Sequence, residues 1–164
     1  MAFGTWAFGP YTATYNGNDV GLIEGVWRHQ QTAEAADIRS GRFGDSVIDG
    51  IYRGGNCFAV AVFKEWTANI RRMLWPFDTV LGDSGKHGRS MVDMSSVLLL
   101  TAIAGTPAAT AGPATRSFPR AIFSPGHNKE VLLGNEERNV PIVFRCYPTV
   151  VTPGDTDLRW YTDT

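Results

Sequence analysis

Cysteine is almost missing from this chain: Cys57 and Cys146 are the only two in 164 residues, and both lie inside apolar runs. Two thiols cannot build the disulfide framework that staples small secreted domains. Their expected state is buried and reduced. Histidine is equally scarce. His29, His87 and His127 lie far apart and form no His-x-x-x-His, and no Cys-x-x-Cys occurs, so no metal ligand set is written locally and no metal or cofactor is expected. Charged residues make up 19% with a formal net charge of −1, which gives no bulk attraction to nucleic acid or to an anionic membrane. Long apolar stretches are also lacking. Runs such as Val97–Leu100 stop far short of the ~20 residues that span a bilayer. Met1–Pro10 has neither a basic start nor a continuous apolar segment, so it does not read as a signal peptide. The expectation is a soluble chain without a membrane anchor, folded in a cytoplasm.

What the chain has in quantity is turn chemistry. Eighteen glycines and nine prolines punctuate it into many short segments, the mark of a mainly β fold. At this length a chain buries about 70% of the surface it exposes when unfolded, enough for one domain covering residues 1–164. "NGND" at Asn16–Asp19 is a strong turn signal. Leu22–Arg28 reads as an extended run interrupted by Gly25, and Thr32–Asp37, "TAEAAD", reads as a loop. "DSVIDGIYR" and "NCFAVAVFKE" read as two strands joined by a tight hairpin turn at Gly54–Gly55. The second is apolar on both faces from Cys57 to Phe63, which predicts a central, covered strand.

One helix is expected at about residues 65–75. Trp66, Ile70, Met73 and Leu74 fall on one arc, Arg71 and Arg72 sit near its C-terminal end, and Pro76 stops it. A long polar loop over 78–90 follows, then an apolar strand within Met91–Ala104 and an exposed loop over Gly105–Ser117. "RAIF" and "EVLL" flank the turn "SPGHN", and "VPIVFRCY" is a last strand with Pro141 near its start. The tail, Pro148–Thr164, is polar apart from Trp160 and Tyr161. The reading is a β-sandwich or barrel with one flanking helix and extended terminal segments.

Gly82–Gly85, "GDSG", matches the tetrapeptide around the nucleophile of trypsin-like proteases. That chemistry needs a histidine, a buried aspartate and an oxyanion hole gathered from two barrels. Only about 80 residues precede Ser84, about half of what two barrels need, and His29 is the one histidine before it. Gly, Asp and Ser are also what turns select, so the tetrapeptide reads as a turn. A phosphate loop fails too, because His87 follows Gly85–Lys86 where Ser or Thr is required. Asp45 and Asp49 share a strand face, but nothing marks either as buried, and Arg39 and Arg42 in "RSGRFG" read as part of a solvated loop. The chain therefore reads as a binding or assembly module with no catalytic residues.

The order of motifs carries one resemblance. A turn-rich start, "YNGNDVGLIEGV", precedes a Gly-punctuated strand pair running into a helix, "RFGDSVIDGIYRGGNCFAVAVFKEWTANIRRMLW". An apolar strand, a hairpin around "FSPGHN" and the last strand "NVPIVFRCYP" follow. Over roughly residues 10–150 this order resembles the tail tube proteins of long-tailed bacteriophages. The resemblance implies a small β-sandwich or barrel with one helix, assembled into six-subunit rings that stack into the genome conduit. It implies as partners other copies of the chain, further tail proteins and double-stranded DNA passing without sequence-specific binding, and as location the virion. A tail terminator, or a β-barrel binding module outside any virus, is the alternative. A ring closes by head-to-tail contacts and stacks through a second surface. Asp83, Lys86 and Arg89 in the 78–90 loop, with Arg39 and Arg42, are the candidate inter-subunit residues.

Overall fold

The computed structural model describes residues 10–43, 46–65, 75–77, 88–106, 109, 112–127, 139–150 and 158–164. Its elements there are strands and one 3-10 turn: β1 (Tyr11–Tyr15), β2 (Asn18–Asp19), β3 (Ile23–Ser40), the turn Gly41–Phe43, β4 (Ser46–Phe63), β5 (Ser96–Ala102), β6 (Thr115–Phe123), β7 (Val140–Cys146), β8 (Thr149–Val150), β9 (Leu158–Arg159) and β10 (Thr162–Asp163). The fold is mainly β, as its turn chemistry indicates. One eight-stranded antiparallel sheet runs β2-β1-β5-β6-β7-β4-β3, with β10 also paired to β6, while β8 and β9 form a separate pair. The helix expected at about 65–75 falls on residues 66–74, outside the described residues.

Local chemistry explains several joints. Asn16 and Gly17 both have positive φ (50° and 76°) between the paired Tyr15 and Asn18. That is the geometry of a two-residue turn matched to the strand twist. Pro119 lies inside β6 where the ladder with β5 shifts, between Leu98↔Phe118 and Ser96↔Ala121. A bulge tolerates the missing N–H. Pro141 pairs with Val62 of β4 in a part of β7 that β6 does not reach, since β6 meets β7 from Phe144 onward.

Two sequence expectations are overturned around β3 and β4. Thr32–Asp37 is not a loop but the middle of an 18-residue strand, and Gly54–Gly55 is not a hairpin turn but lies within a second strand of equal length. The hairpin turns instead between Ser40 and Ser46. The register shifts between Glu34 and Ala35, opposite Gly54 and Tyr52, so Arg53 is an extra residue and the glycines sit at a bulge. Gly54 has φ +112°, and a Cβ on Gly55 would overlap the Thr32 carbonyl oxygen. Glycine here serves a bulge and a close backbone approach rather than a reversal. A smaller correction concerns Gly105–Ser117, whose last three residues already belong to β6.

The core gathers on one face of the sheet. Along β4 burial alternates from Cys57 to Phe63, with Cys57, Ala59, Ala61 and Phe63 buried and the residues between them half-buried. As expected for that run, β4 is internal there, between β3 and β7. Phe144 of β7 meets Tyr15 of β1 at 5.3 Å and Trp27 of β3 at 6.3 Å between ring centroids, so side chains from strands near both edges share one interior. Trp75 and Phe77 pack on the same core, Trp75 lying 5.4 Å from Phe123.

Tyr15 is buried and its hydroxyl donates to the Ala121 carbonyl at 3.0 Å. Burial pushes its pKa up to about 12. A tyrosine ionises near pH 10 in the unfolded chain, so its contribution is present in full below that pH and is lost as the pH climbs towards 12. Tyr15→Phe should cost about 1 kcal/mol near neutral pH through the lost hydrogen bond. Its disadvantage relative to wild type should then shrink between pH 10 and 12. Chemical denaturation of both proteins across that range measures the difference.

Candidate functional site

β3 and β4 stay paired well beyond the sheet that anchors them. β7 pairs with β4 only from Cys57 onward, so from Thr32↔Asn56 to Ser40↔Ser46 the two strands form a ribbon with no third strand among the described residues. At about 3.3 Å per residue this arm extends roughly 30 Å. Its root is fixed by Arg145, whose Nη2 donates to Asn56 Oδ1 at 2.9 Å. The glycine bulge at Gly54–Gly55 follows immediately, where the ribbon leaves the body.

The arm's side chains are unlike those of a solvated hairpin. All of Ser46–Arg53 is exposed, yet Val47, Ile48, Ile51 and Tyr52 lie there at 52–60% exposure, joined by Ile38 across the ladder. Ile51 and Tyr52 are consecutive and therefore point to opposite faces. Both faces thus carry apolar surface, and an isolated two-stranded ribbon is marginal in water. Such an arm is suited to lying against, or between, other surfaces.

The candidate residues from sequence separate on this frame. Arg39 and Arg42 both lie towards the far end of the arm, Arg39 in an exposed ion pair with Asp37 at 3.5 Å and Arg42 in the 3-10 turn. Arg42 thus lies in an exposed turn, close to the solvated loop expected from "RSGRFG", while Arg39 belongs to β3. Arg89 is exposed in the segment before β5, away from the arm in the chain. Asp83, Lys86 and Ser84 lie outside the described residues, as does Asp45, while Asp49 is exposed on the arm and accepts from the Gly50 N–H at 2.7 Å.

A second cluster sits at the base of the arm, on the core side. Asp163 of β10 holds Arg116 of β6 through two bonds, Nε to Oδ1 at 2.7 Å and Nη2 to Oδ2 at 2.6 Å. Arg116 lies over the Tyr161 ring, 4.5 Å from its centroid. Its Nη1 meets His29 Nδ1 at 3.0 Å, and His29 Nε2 lies 3.3 Å from Cys57 Sγ. His29 and Arg116 are separated by two intervening strands, β4 and β7, in the sheet order. At about 4.8 Å per strand spacing, contact between them requires a strongly curved sheet. A cavity of about 250 Å³ opens beside the cluster, lined by Tyr11, Trp27, His29, Ala59, Arg116 and Phe118 among others. The indole N–H of Trp27 is buried there without a partner among the described residues.

This histidine is not built as a general base. Arginine only donates, so Nδ1 accepts from it and the neutral ring carries its proton on Nε2, facing the sulfur. Burial, then the Arg116 charge, lowers the His29 pKa and keeps the ring neutral near pH 7. A base for Cys57 needs the opposite arrangement, with a free Nε2 lone pair and a carboxylate behind Nδ1. Among the described residues no group of His, Cys, Asp and Glu is placed to hold a metal ion, and no helix is long and apolar enough to cross a membrane.

No protein-family model and no curated protein matches this chain. Sequence reasoning missed the arm because each of its strands is broken by residues that mimic a turn or a loop. The signal available was the equal length of extended chain on either side of "RSGRFGDS", which contains the true reversal.

Proposed function

We propose that this chain is a structural subunit that assembles with copies of itself, and that the β3–β4 arm is the element that reaches the neighbour. The observation that carries this reading is the exposed Val47, Ile48, Ile51 and Tyr52 on a ribbon with no covering strand among the described residues. A protruding segment docking on a different surface of the next copy makes a heterologous contact. Repeated, such contacts close into rings or continue as a tube.

With the resemblance in motif order, the subunit is proposed to be a tail tube protein. The curvature implied by the His29–Arg116 contact is read as the rolled sheet of a β-sandwich or barrel. Six such subunits make a ring, and rings stack into the tail tube of a long-tailed phage through which the genome leaves. In that setting the arm serves as the inter-ring connector, with Arg39 and Arg42 at its tip available to acidic groups of the neighbour. The near-neutral net charge suits a conduit that must not grip DNA phosphates. Further tail proteins are its other partners, and the virion is its location.

Negative-stain electron microscopy of the purified protein tests this reading. Tubes of uniform diameter are expected. Single closed rings would point to a terminator, and monodisperse small particles at high concentration would overturn the assembly reading.

A further inference from the structure

Cys57 and Cys146 stand directly opposite one another across β4 and β7. Directly opposed residues of an antiparallel pair have Cα atoms about 4.5–5.5 Å apart, within the roughly 4.4–6.8 Å range of a disulfide. Both thiols are free and buried on the same face. His29 adds a third group, with its Nε2–H directed at Cys57 Sγ at 3.3 Å. The cavity beside the cluster reaches His29 and Ala59, the next core-facing residue after Cys57 on β4.

We propose that Cys57 and Cys146 form a reactive dithiol that closes to an intramolecular cross-strand disulfide when a small peroxide enters beside His29. This does not rest on the assembly reading. The two sulfurs have different roles. The hydrogen bond with Cys146, outweighing burial, holds the Cys57 thiol below the ordinary thiol range, and the same bond together with burial pushes Cys146 up. The proton between them therefore stays on Cys146, and donation from His29 further favours a thiolate on Cys57.

The chemistry balances with hydrogen peroxide as the oxidant. Cys57 thiolate attacks one peroxide oxygen, the O–O bond breaks, and hydroxide leaves, giving a sulfenic acid on Cys57. Cys146 sulfur then attacks the Cys57 sulfur, expelling the hydroxyl group as water with the Cys146 proton. Two thiols and one peroxide become one disulfide and two waters. The bridge would lie at the last β4–β7 pair before the arm leaves the body, so closing it pins the arm's root.

The test treats the fully reduced protein with excess hydrogen peroxide, then denatures it in iodoacetamide and measures intact mass and disulfide-linked peptides. The expected product is monomeric, lighter by two hydrogens, unalkylated, and linked Cys57 to Cys146. Oxygen added stepwise to either sulfur, a link between chains, or two alkylated cysteines after free cysteine in the same tube is consumed would overturn the proposal. Single variants check the assigned order. In Cys146→Ser, whose hydroxyl keeps a donor beside Cys57, a 1,3-dione should trap sulfenic acid on Cys57 about tenfold or more faster than on Cys146 in Cys57→Ser. Equal rates would remove the distinction between the two sulfurs.

Discussion

A variant in which Ala33–Gly55 is replaced by Asn-Gly, closing the Thr32↔Asn56 pair with a two-residue turn, is expected to fold, melt close to wild type and fail to polymerise. The first half follows from where the core lies. Every buried hydrophobic side chain among the described residues comes from 13–20, 57–63, 98–102, 118–123 or 140–146, and none from the arm. Among the described residues, removing the arm therefore takes away ladder hydrogen bonds and exposed apolar surface but no interior packing. The second half follows from what the arm offers a neighbour. Fully burying an Ile or Tyr-sized side chain is worth about 1.5–3 kcal/mol, and Ile51 and Tyr52 are 59% and 60% exposed. Covering each contributes about 1–1.5 kcal/mol, or about tenfold in an association constant. The double variant Ile51→Asp, Tyr52→Ser should then raise the subunit concentration needed for assembly by about a hundredfold or more. Sedimentation velocity beside a thermal melt reads both halves. A truncated chain that polymerises normally would place assembly on other surfaces.

The opposite pattern is expected from Phe144→Ala. Phe144 is fully buried on β7 and contacts rings on β1 and β3, joining strands that are not hydrogen-bonded to it. Truncation should cost about 3–5 kcal/mol through lost transfer energy and a cavity that the rigid sheet cannot close. For a chain of this size about 1 kcal/mol corresponds to roughly 2–4 °C, so the melting midpoint should fall by about 10–15 °C. Ile51→Ala, on the exposed arm, should leave the monomer's midpoint nearly unchanged. Circular dichroism melts of the two variants test whether core and arm are separate in energy as they are in geometry.

What the sequence reveals of this fold is what depends on near neighbours. Asn16-Gly17 specifies its turn by backbone preference alone, and the VPIVFRCY and CFAVAVF runs specify strands by their apolar content. Gly54–Gly55 misleads because the same residue pair serves a hairpin turn and a bulge, and only the register of the partner strand distinguishes them. "TAEAAD" misleads because alanine and glutamate are weak strand formers, overridden here by pairing with β4. The buried thiols were legible as buried, from the apolar runs that hold them. Their pairing with each other and with His29 was not, because Cys57 and Cys146 are brought together by strand order and Arg116 reaches His29 through curvature. The arm went unseen for a related reason. Its meaning lies in having no third strand beside it among the described residues, which no local pattern records.

The most direct test of the account is a cryo-electron microscopy reconstruction of the assembled protein. The β3–β4 arm of each subunit is expected to lie on a neighbouring copy, with Val47, Ile48, Ile51 and Tyr52 covered and Arg39 and Arg42 at the contact. An assembly in which those four side chains remain in solvent while subunits join through other surfaces would contradict it.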